Sequence, residues 1–431
     1  MSKKNVFIIG LDPFNQEKLQ HLPEAAECQF HAALDITEIR GVASFAMQDL
    51  IGRAERTMAS FDHVDAVVSY YDFPGTTLLP ILAERFGLPG PSLESVLKCE
   101  HKYWSRLEQQ KVIPAHIPPF RAFDPFDDDA FAQINLMPPF WIKPIKSFRS
   151  YLAYRINDEV QLREHLPELR AHIDYISEPF NHLMRAYHMP AEIAEMRERC
   201  IAESPLAGHQ CTIEGYVFQG EVVVYGIVDS VREGDRSSFA RYEYPSSLPQ
   251  EIQFRMADVT RRAITQIGLD NSPFNVEFFY NPTDNQVYLL EINPRISQAH
   301  GDMFEKVHGI SHHEIMLNLA LGRRPKPLEV KGPFRLAANC MLRTYDSGRV
   351  RRTPTETELR EISDRFPGTI IKAHVHEGQH LKELQGQDSY SFELANIFLG
   401  GRDQAEILDK YHRIVEALPF EIERDPDTVL H

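Results

Sequence analysis

Apolar and polar positions alternate most clearly around residue 280. NVEFFY (275–280) and QVYLLEI (286–292) read as two strands, and Asn-Pro-Thr-Asp-Asn between them is a cluster of turn residues. A second hairpin, CTIEGYVFQGEVVVYGIVDSV, is expected to turn at Gln219-Gly220. Met256, Val259, Ala263 and Ile267 recur at helical spacing ahead of Gly268, which predicts an amphipathic helix packed beneath the first hairpin. Over the first 90 residues the pattern alternates: strand VFIIG, helices over 13–21 and 42–58, strand AVVSY, and a helix over 74–86 stopped by Gly87. Such alternation predicts a parallel sheet covered by helices. No G-x-G-x-x-G follows the first strand, so this lobe reads as a substrate platform or scaffold and not as a dinucleotide site. LPGPS then punctuates the chain ahead of the helix-rich ESVLKCEHKYWSRLEQQ, and a Pro-rich passage leads to strands FWIKP and YLAYRI and a helical insertion over 158–200. After Gly322, Arg-Arg-Pro-Lys-Pro reads as a linker to a small α+β lobe with strands LAANCMLRTY and TIIKAHVH and a helix over 404–418.

The first hairpin carries chemistry. Side chains alternate along a strand, so Glu291 and Asn293 share a face, and Glu277 on the partner strand can be brought opposite them. Two carboxylates and an amide are hard oxygen ligands. So small a protein set suits Mg²⁺ that also holds substrate phosphates better than it suits zinc or a closed calcium cage. Arg295, two residues further on, is within reach of a phosphoryl group.

Composition narrows the partners. The 431 residues are 43% hydrophobic and 25% charged, ordinary for a globular protein, and long enough for two or three packed lobes. The net charge of -16, with scattered Lys and Arg, argues against default affinity for nucleic acid or an anionic membrane. Five well-separated cysteines without a CxxC, an N-terminus that passes directly into a strand, and no long apolar run together suggest a reduced, cytoplasmic protein. Cys211 is weighed as a nucleophile and not favoured. His312-His313 and His374/His376/His380 lack the Cys or carboxylate spacing of a metal site.

The pattern E-(strand)-turn-(strand)-L-E-I-N-P-R resembles the metal-binding end of the ATP-grasp superfamily, in the branch of biotin carboxylase-like folds and amino-acid ligases. The resemblance implies an ATP-grasp fold over 98–325 with a lid subdomain at about 141–216. It also implies an N-terminal parallel α/β lobe over 1–97 and a C-terminal α+β lobe over 326–431. Matching positions upstream imply further roles. Lys102, in a His-Lys pair where the family usually has Asp-Lys, would approach the nucleotide phosphates. Lys143, in FWIKP, would reach the α and β phosphates. In IAESPLAGHQCTIEG, Glu203 occupies the acidic hinge position, Leu206 the apolar position facing adenine, and Gln210 the place of a ribose-binding glutamate. After Lys143 the family's Gly-rich loop is replaced by IKSFRSY. Lys146 and Arg149 would there supply phosphate contacts as charges, from a mobile surface loop that contributes little to the fold. His300, just beyond Arg295, would have a substrate role.

The implied activity is ATP-dependent carboxylate-amine ligation through an acylphosphate. Mg²⁺, replaceable by Mn²⁺, would be held by Glu277, Glu291 and Asn293, and charge would be supplied by Lys102, Lys143 and Arg295. The partners would be a small carboxylate and an amine, with a homodimer in keeping with the family. Biotin-type carboxylation is the rival reaction, although the sequence has no biotinyl or transcarboxylase domain. A non-catalytic ATP-binding sensor or scaffold is the rival from another class, motivated by the missing glycines and by Gln210.

Overall fold

The first strand carries an unbroken apolar run from Val6 to Ile9, and burial of that run organises the N-terminal part of the chain. The computed structural model describes residues 3–42, 44–147, 151–196, 199–234, 238–384 and 391–429. By its contacts the chain divides into two units. One comprises residues 1–225, 248–298 and 313–326, and the other 226–247, 299–312 and 327–431.

In the first unit, β1 (Lys4–Leu11), β2 (Cys28–Asp35) and β3 (Ala66–Ser69) form a parallel sheet in the order β2-β1-β3. Val6 to Ile9 are fully buried, as expected of a parallel strand covered on both faces. The helices of this part are α1 (Pro13–Gln20), α2 (Ile36–Ile39), α3 (Met47–Ala59) and α4 (Gly75–Arg85). Asp12 caps α1 by accepting from the backbone of Phe14 and Asn15, with Pro13 at the first helical position. The parallel sheet agrees with the sequence pattern, which nevertheless passed over β2, whose residues CQFHAALD mix polar and apolar positions without a clear period. The helix expected to begin at 42 begins at Met47, because Phe45 is drawn into the core against the Phe73 ring, 5.5 Å away.

The helical stretch after Ser92 is two helices, α5 (Leu93–Glu100) and α6 (Lys102–Val112), separated at His101. His101 leaves helical geometry and its Nδ1 accepts from the backbone of Trp104, so it caps α6. A four-stranded antiparallel sheet follows, ordered β4-β7-β5-β6 from β4 (Phe120–Phe123), β5 (Phe140–Pro144), β6 (Tyr154–Ile156) and β7 (Cys200–Glu203). Helices α7 (Ala130–Ile134), α8 (Glu159–His172), α9 (Asp174–Ala186) and α10 (Ala191–Ala194) accompany it. Then β8 (His209–Phe218) turns at Gln219 and Gly220, both at positive φ, into β9 (Glu221–Arg232).

Beside β8 lies the hairpin of β11 (Ser272–Asn281) and β12 (Gln286–Asn293), in the order β12-β11-β8-β9. Its turn is closed locally: Asn281 Oδ1 accepts from Thr283 N, and Asp284 Oδ1 accepts from Gln286 N. The amphipathic helix α11 (Gln250–Ile267) buries Met256, Val259, Ala263 and Ile267 and ends at Gly268 with φ 79°, a left-handed cap that glycine adopts without strain. Helix α13 (His313–Ala320) completes this unit.

The second unit is built on antiparallel strands. The end of β9 pairs with β10 (Phe239–Tyr244), followed by β13 (Leu336–Thr344), β16 (Phe392–Gly401) and β15 (Ile370–Ala373), with a separate pair of β14 (Asp346–Arg352) and β17 (Glu421–Val429). Its helices are α12 (Gly301–His308), α14 (Glu356–Arg365) and α15 (Gln404–Ala417). Ala338, Cys340, Ile397 and Leu399 pack there with Ile362, Ile407 and Ile414. Among the described residues no helix is long and apolar enough to cross a membrane.

Candidate nucleotide and metal site

The hairpin register brings the two hairpin carboxylates together. Glu277 pairs directly with Glu291, and Asn275 with Asn293, while the next strand places Thr212 against Glu277 and Glu214 against Asn275. A register shift follows Glu277, so the alignment at the ligand positions is local to this end of the hairpin. Burial, and then the charge of Glu291, raises the Glu277 carboxyl to about 7. Glu291 is lowered instead: burial raises it, but Lys102 and then Lys143 outweigh that.

This donor set fits a hard divalent cation. Two facing carboxylates of which one is driven toward neutrality are short of positive charge. The amide of Asn293 is also oriented for the task. Its Nδ2 donates to Asn275 Oδ1 at 2.9 Å, which leaves the carbonyl Oδ1 as the atom available to a cation. Asn275 in turn donates through Nδ2 to the carbonyl of Arg295 at 3.2 Å, and Arg295 N donates to Asn293 O at 2.9 Å. One buried asparagine thus ties the third ligand to the arginine loop.

The cations line an adjoining recess bounded by Lys102, Arg106, Lys143, Glu203, Leu290 and Glu291. Lys102 Nζ lies 2.6 Å from Glu291 Oε1 and 2.7 Å from the carbonyl of Ser147. Burial lowers its ammonium, with Glu291 opposing. Lys143 Nζ lies 2.7 Å from Glu203 Oε2, and Arg106 Nε lies 2.6 Å from Glu203 Oε1. Burial alone would raise Glu203, but Arg106 and Lys143 pull it down to about 2, so the hinge acid stays ionised. Arg106 also donates to the carbonyls of Leu289 and Leu290, joining α6 to β12.

Other expected residues fall as follows. Leu206 is half-buried in the loop between β7 and β8. In the same loop Gly208, at φ 114°, lets the chain pass so close to Tyr280 that a Cβ would sit 2.2 Å from its carbonyl oxygen. Gln210 donates through Nε2 to Glu277 Oε2 at 3.2 Å, which sets it against the metal-type carboxylates. Arg295 gives Nε and Nη2 to Asp72 Oδ1, each at 2.6 Å.

Lys146 corrects the expectation of a mobile surface lid at its position. It is only 6% exposed, pairs with Glu100 Oε2 at 2.7 Å, and lies 5.0 and 4.8 Å from the ring centres of Phe73 and Phe180. A side chain whose charge is matched in a dry aromatic setting is part of the packing. Arg149 lies outside the described residues. His300 is in the second unit, buried beside the Tyr242 ring. Cys211 is fully buried with its Sγ 3.6 Å from Met256 Sδ. His374 meets Asn396 and Glu393, and His380 meets Asp425.

Sequence reading passed over Arg106, Asn275 and Asp72. Arg106 lies four residues from Lys102 on one helix face, and Asn275 two residues from Glu277 on one strand face, so spacing held a signal for both. Asp72 had none.

Residues 136–301 match the family model described as an ATP-grasp domain, so the chain carries an ATP-grasp domain in its centre. The uncharacterized protein y4rH of Sinorhizobium fredii (strain NBRC 101917 / NGR234) is 25% identical over 273 residues, 62% of this chain and 50% of that protein, so the match spans half the length of that relative. Among solved structures, an L-amino acid ligase from Bacillus licheniformis superposes with a TM-score of 0.75 at 19% identity, covering 98% of this chain and 100% of that one. The biotin carboxylase domain dimer of the Hydrogenobacter thermophilus 2-oxoglutarate carboxylase, in complex with MgADP, ADP and bicarbonate, superposes with a TM-score of 0.65 at 14% identity, covering 98% and 91%. The fold is therefore that of the ATP-grasp proteins.

Proposed function

We propose that the protein is an ATP-dependent carboxylate-amine ligase acting on an amino acid or similar small carboxylate. The observation that carries this reading is the convergence of Glu277, Glu291 and Asn293 on one sheet face beside Lys102, Lys143 and Arg295. Bound Mg²⁺ would supply charge neutralisation between the nucleotide phosphates. Glu277, Glu291 and Asn293 would hold it. Lys143 and Lys102, released from Glu203 and Glu291, would face the phosphates, and the end of β7 at Glu203 with Leu206 of the β7–β8 loop would face the base. A substrate carboxylate oxygen attacks the γ-phosphorus, ADP leaves, and the acylphosphate is captured by an amine that loses a proton as phosphate departs. The protein's part is positioning and electrostatics, with Arg295 steadying the transferred phosphoryl group. The L-amino acid ligase resemblance favours an amino acid as the carboxylate.

The test is ADP and phosphate release on mixing the protein with ATP, Mg²⁺ and pooled amino acids, with hydroxylamine present to trap activated acyl groups. Amino-acid-dependent ADP release with hydroxamate formation is expected. MgATP binding without release would replace the ligase reading with a nucleotide sensor.

A further inference from the structure

We propose that Asp72 is a positioning residue for Arg295, holding its guanidinium ready for the phosphoryl group, an assignment that rests on the reading above. Asp72 stands in the loop that leaves β3, 223 positions from Arg295 in sequence, and one carboxylate oxygen takes both Nε and Nη2. Arginine on a loop has many accessible rotamers, and two N–H groups on one oxygen select a narrow set of them. The backbone at Arg295 is tied independently by Asn275 and by the turn to Asn293, so the side chain is the remaining freedom, and Asp72 restricts it with two short bonds against one longer bond from Nη1 to the Ile296 carbonyl at 3.4 Å.

The electrostatics agree. Burial works against the charge of Arg295, and Asp72, ahead of Glu214 and Glu277, more than offsets it, so the guanidinium remains a full cation at the edge of the carboxylate face. Among the described residues the carboxylate of Asp72 caps no helix, and the backbone bond from Gly75 N goes to its carbonyl. Arg295 is 15% and Asp72 21% exposed as side chains, so the pair is not sealed in the core. An arginine aimed in advance contributes fully when charge develops, whereas a free one must first be ordered.

The experiment measures binding of inorganic phosphate to the full-length protein saturated with MgADP, by calorimetry, in wild type, Asp72→Asn, Asp72→Glu, Arg295→Ala and Asp72→Asn/Arg295→Ala. Asp72→Asn is expected to weaken phosphate binding by about tenfold, with Asp72→Glu recovering part of the loss, because an oriented cation is replaced by a disordered one. MgADP affinity should stay within about twofold, and the double variant should be no weaker than Arg295→Ala, since residues acting through one contact are not additive. Unchanged phosphate affinity in Asp72→Asn, losses that multiply in the double variant, or no phosphate binding to wild-type protein holding MgADP would each overturn the assignment. Absence of MgADP binding would overturn it together with the nucleotide reading. Phosphate binding with the expected pattern but without ATP turnover would leave Asp72 in place and remove only the ligase.

Discussion

Glu291 illustrates how one side chain is asked to do two things. It faces Glu277 across the hairpin, and it pairs with Lys102 at 2.6 Å. Replacing it by glutamine keeps the volume and removes the charge, so both the cation and the lysine lose their partner. Glu291→Gln is expected to lower turnover by about a hundredfold while ADP affinity changes by much less, because the ligand set matters most where charge accumulates between the β and γ phosphates. Steady-state kinetics beside ADP titration decides it: equal losses in both would mean that Glu291 serves ground-state binding alone. That Glu291 and Asn293 share a face was legible in the sequence, because a strand's period of two makes neighbours on one face from residues two apart, and the hairpin register then sets Glu277 against Glu291. Asp72 was not, because its partner is distant along the chain and only the tertiary fold makes them adjacent.

Among elements, Lys146 in the loop after β5 is anchored more firmly than its sequence suggests. Lys146 from that loop meets Glu100 at the end of α5, Glu100 also accepts from Thr76 of α4, and the Phe73 and Phe180 rings flank the ammonium. Lys146→Met should therefore lower the melting temperature, since it strands a buried carboxylate at a cost of about 3–5 kcal/mol. Adding Glu100→Leu should recover most of that loss, because an apolar pair can replace a buried ion pair with little penalty. Thermal unfolding of the two variants checks both steps, and a single variant as stable as wild type would show the pair to be dispensable. The sequence pattern correctly located β5 and the absence of a glycine-rich loop after it. It could not reveal which way Lys146 would turn, since a lysine beside a strand end is equally suited to solvent.

At the scale of the molecule, acid stability should be set partly by buried histidines in the first unit. His101 and His313 are both lowered by burial, from 6.5 to about 3. Above pH 6.5 both are neutral whether the chain is folded or not, so their contribution to stability is complete and flat. Between 6.5 and about 3 the unfolded chain binds protons that the folded chain refuses, and stability falls by about 1.4 kcal/mol per pH unit for each histidine. Below about 3 the loss is complete. Denaturant unfolding at pH 7 and pH 5 reads the net effect above the range in which Glu203 titrates; Glu277, raised to about 7, works the other way there, because the folded chain binds its proton while the unfolded chain does not. His101→Asn, which retains a capping acceptor for α6, should make the fall in stability shallower by up to about 1.4 kcal/mol per pH unit. An unchanged slope would mean that His101 is protonated in the folded protein.

Local periodicity determined much of what this protein is. The alternation at β11 and β12, the helical spacing of α11 up to Gly268, and the strand-helix alternation near the N-terminus each follow from side-chain direction within a single element, which a linear sequence contains. The resemblance to ATP-grasp proteins rested on those same short-range patterns, and the matched domain and the fold agree with it. Tertiary structure alone decided which charge neutralises which. Lys143 and Arg106 with Glu203, Lys102 with Glu291, Lys146 with Glu100, and Arg295 with Asp72 are pairings between distant segments. Each depends on the register and burial of two elements at once, and the energy of a charge depends on its surroundings more than on its neighbours in sequence.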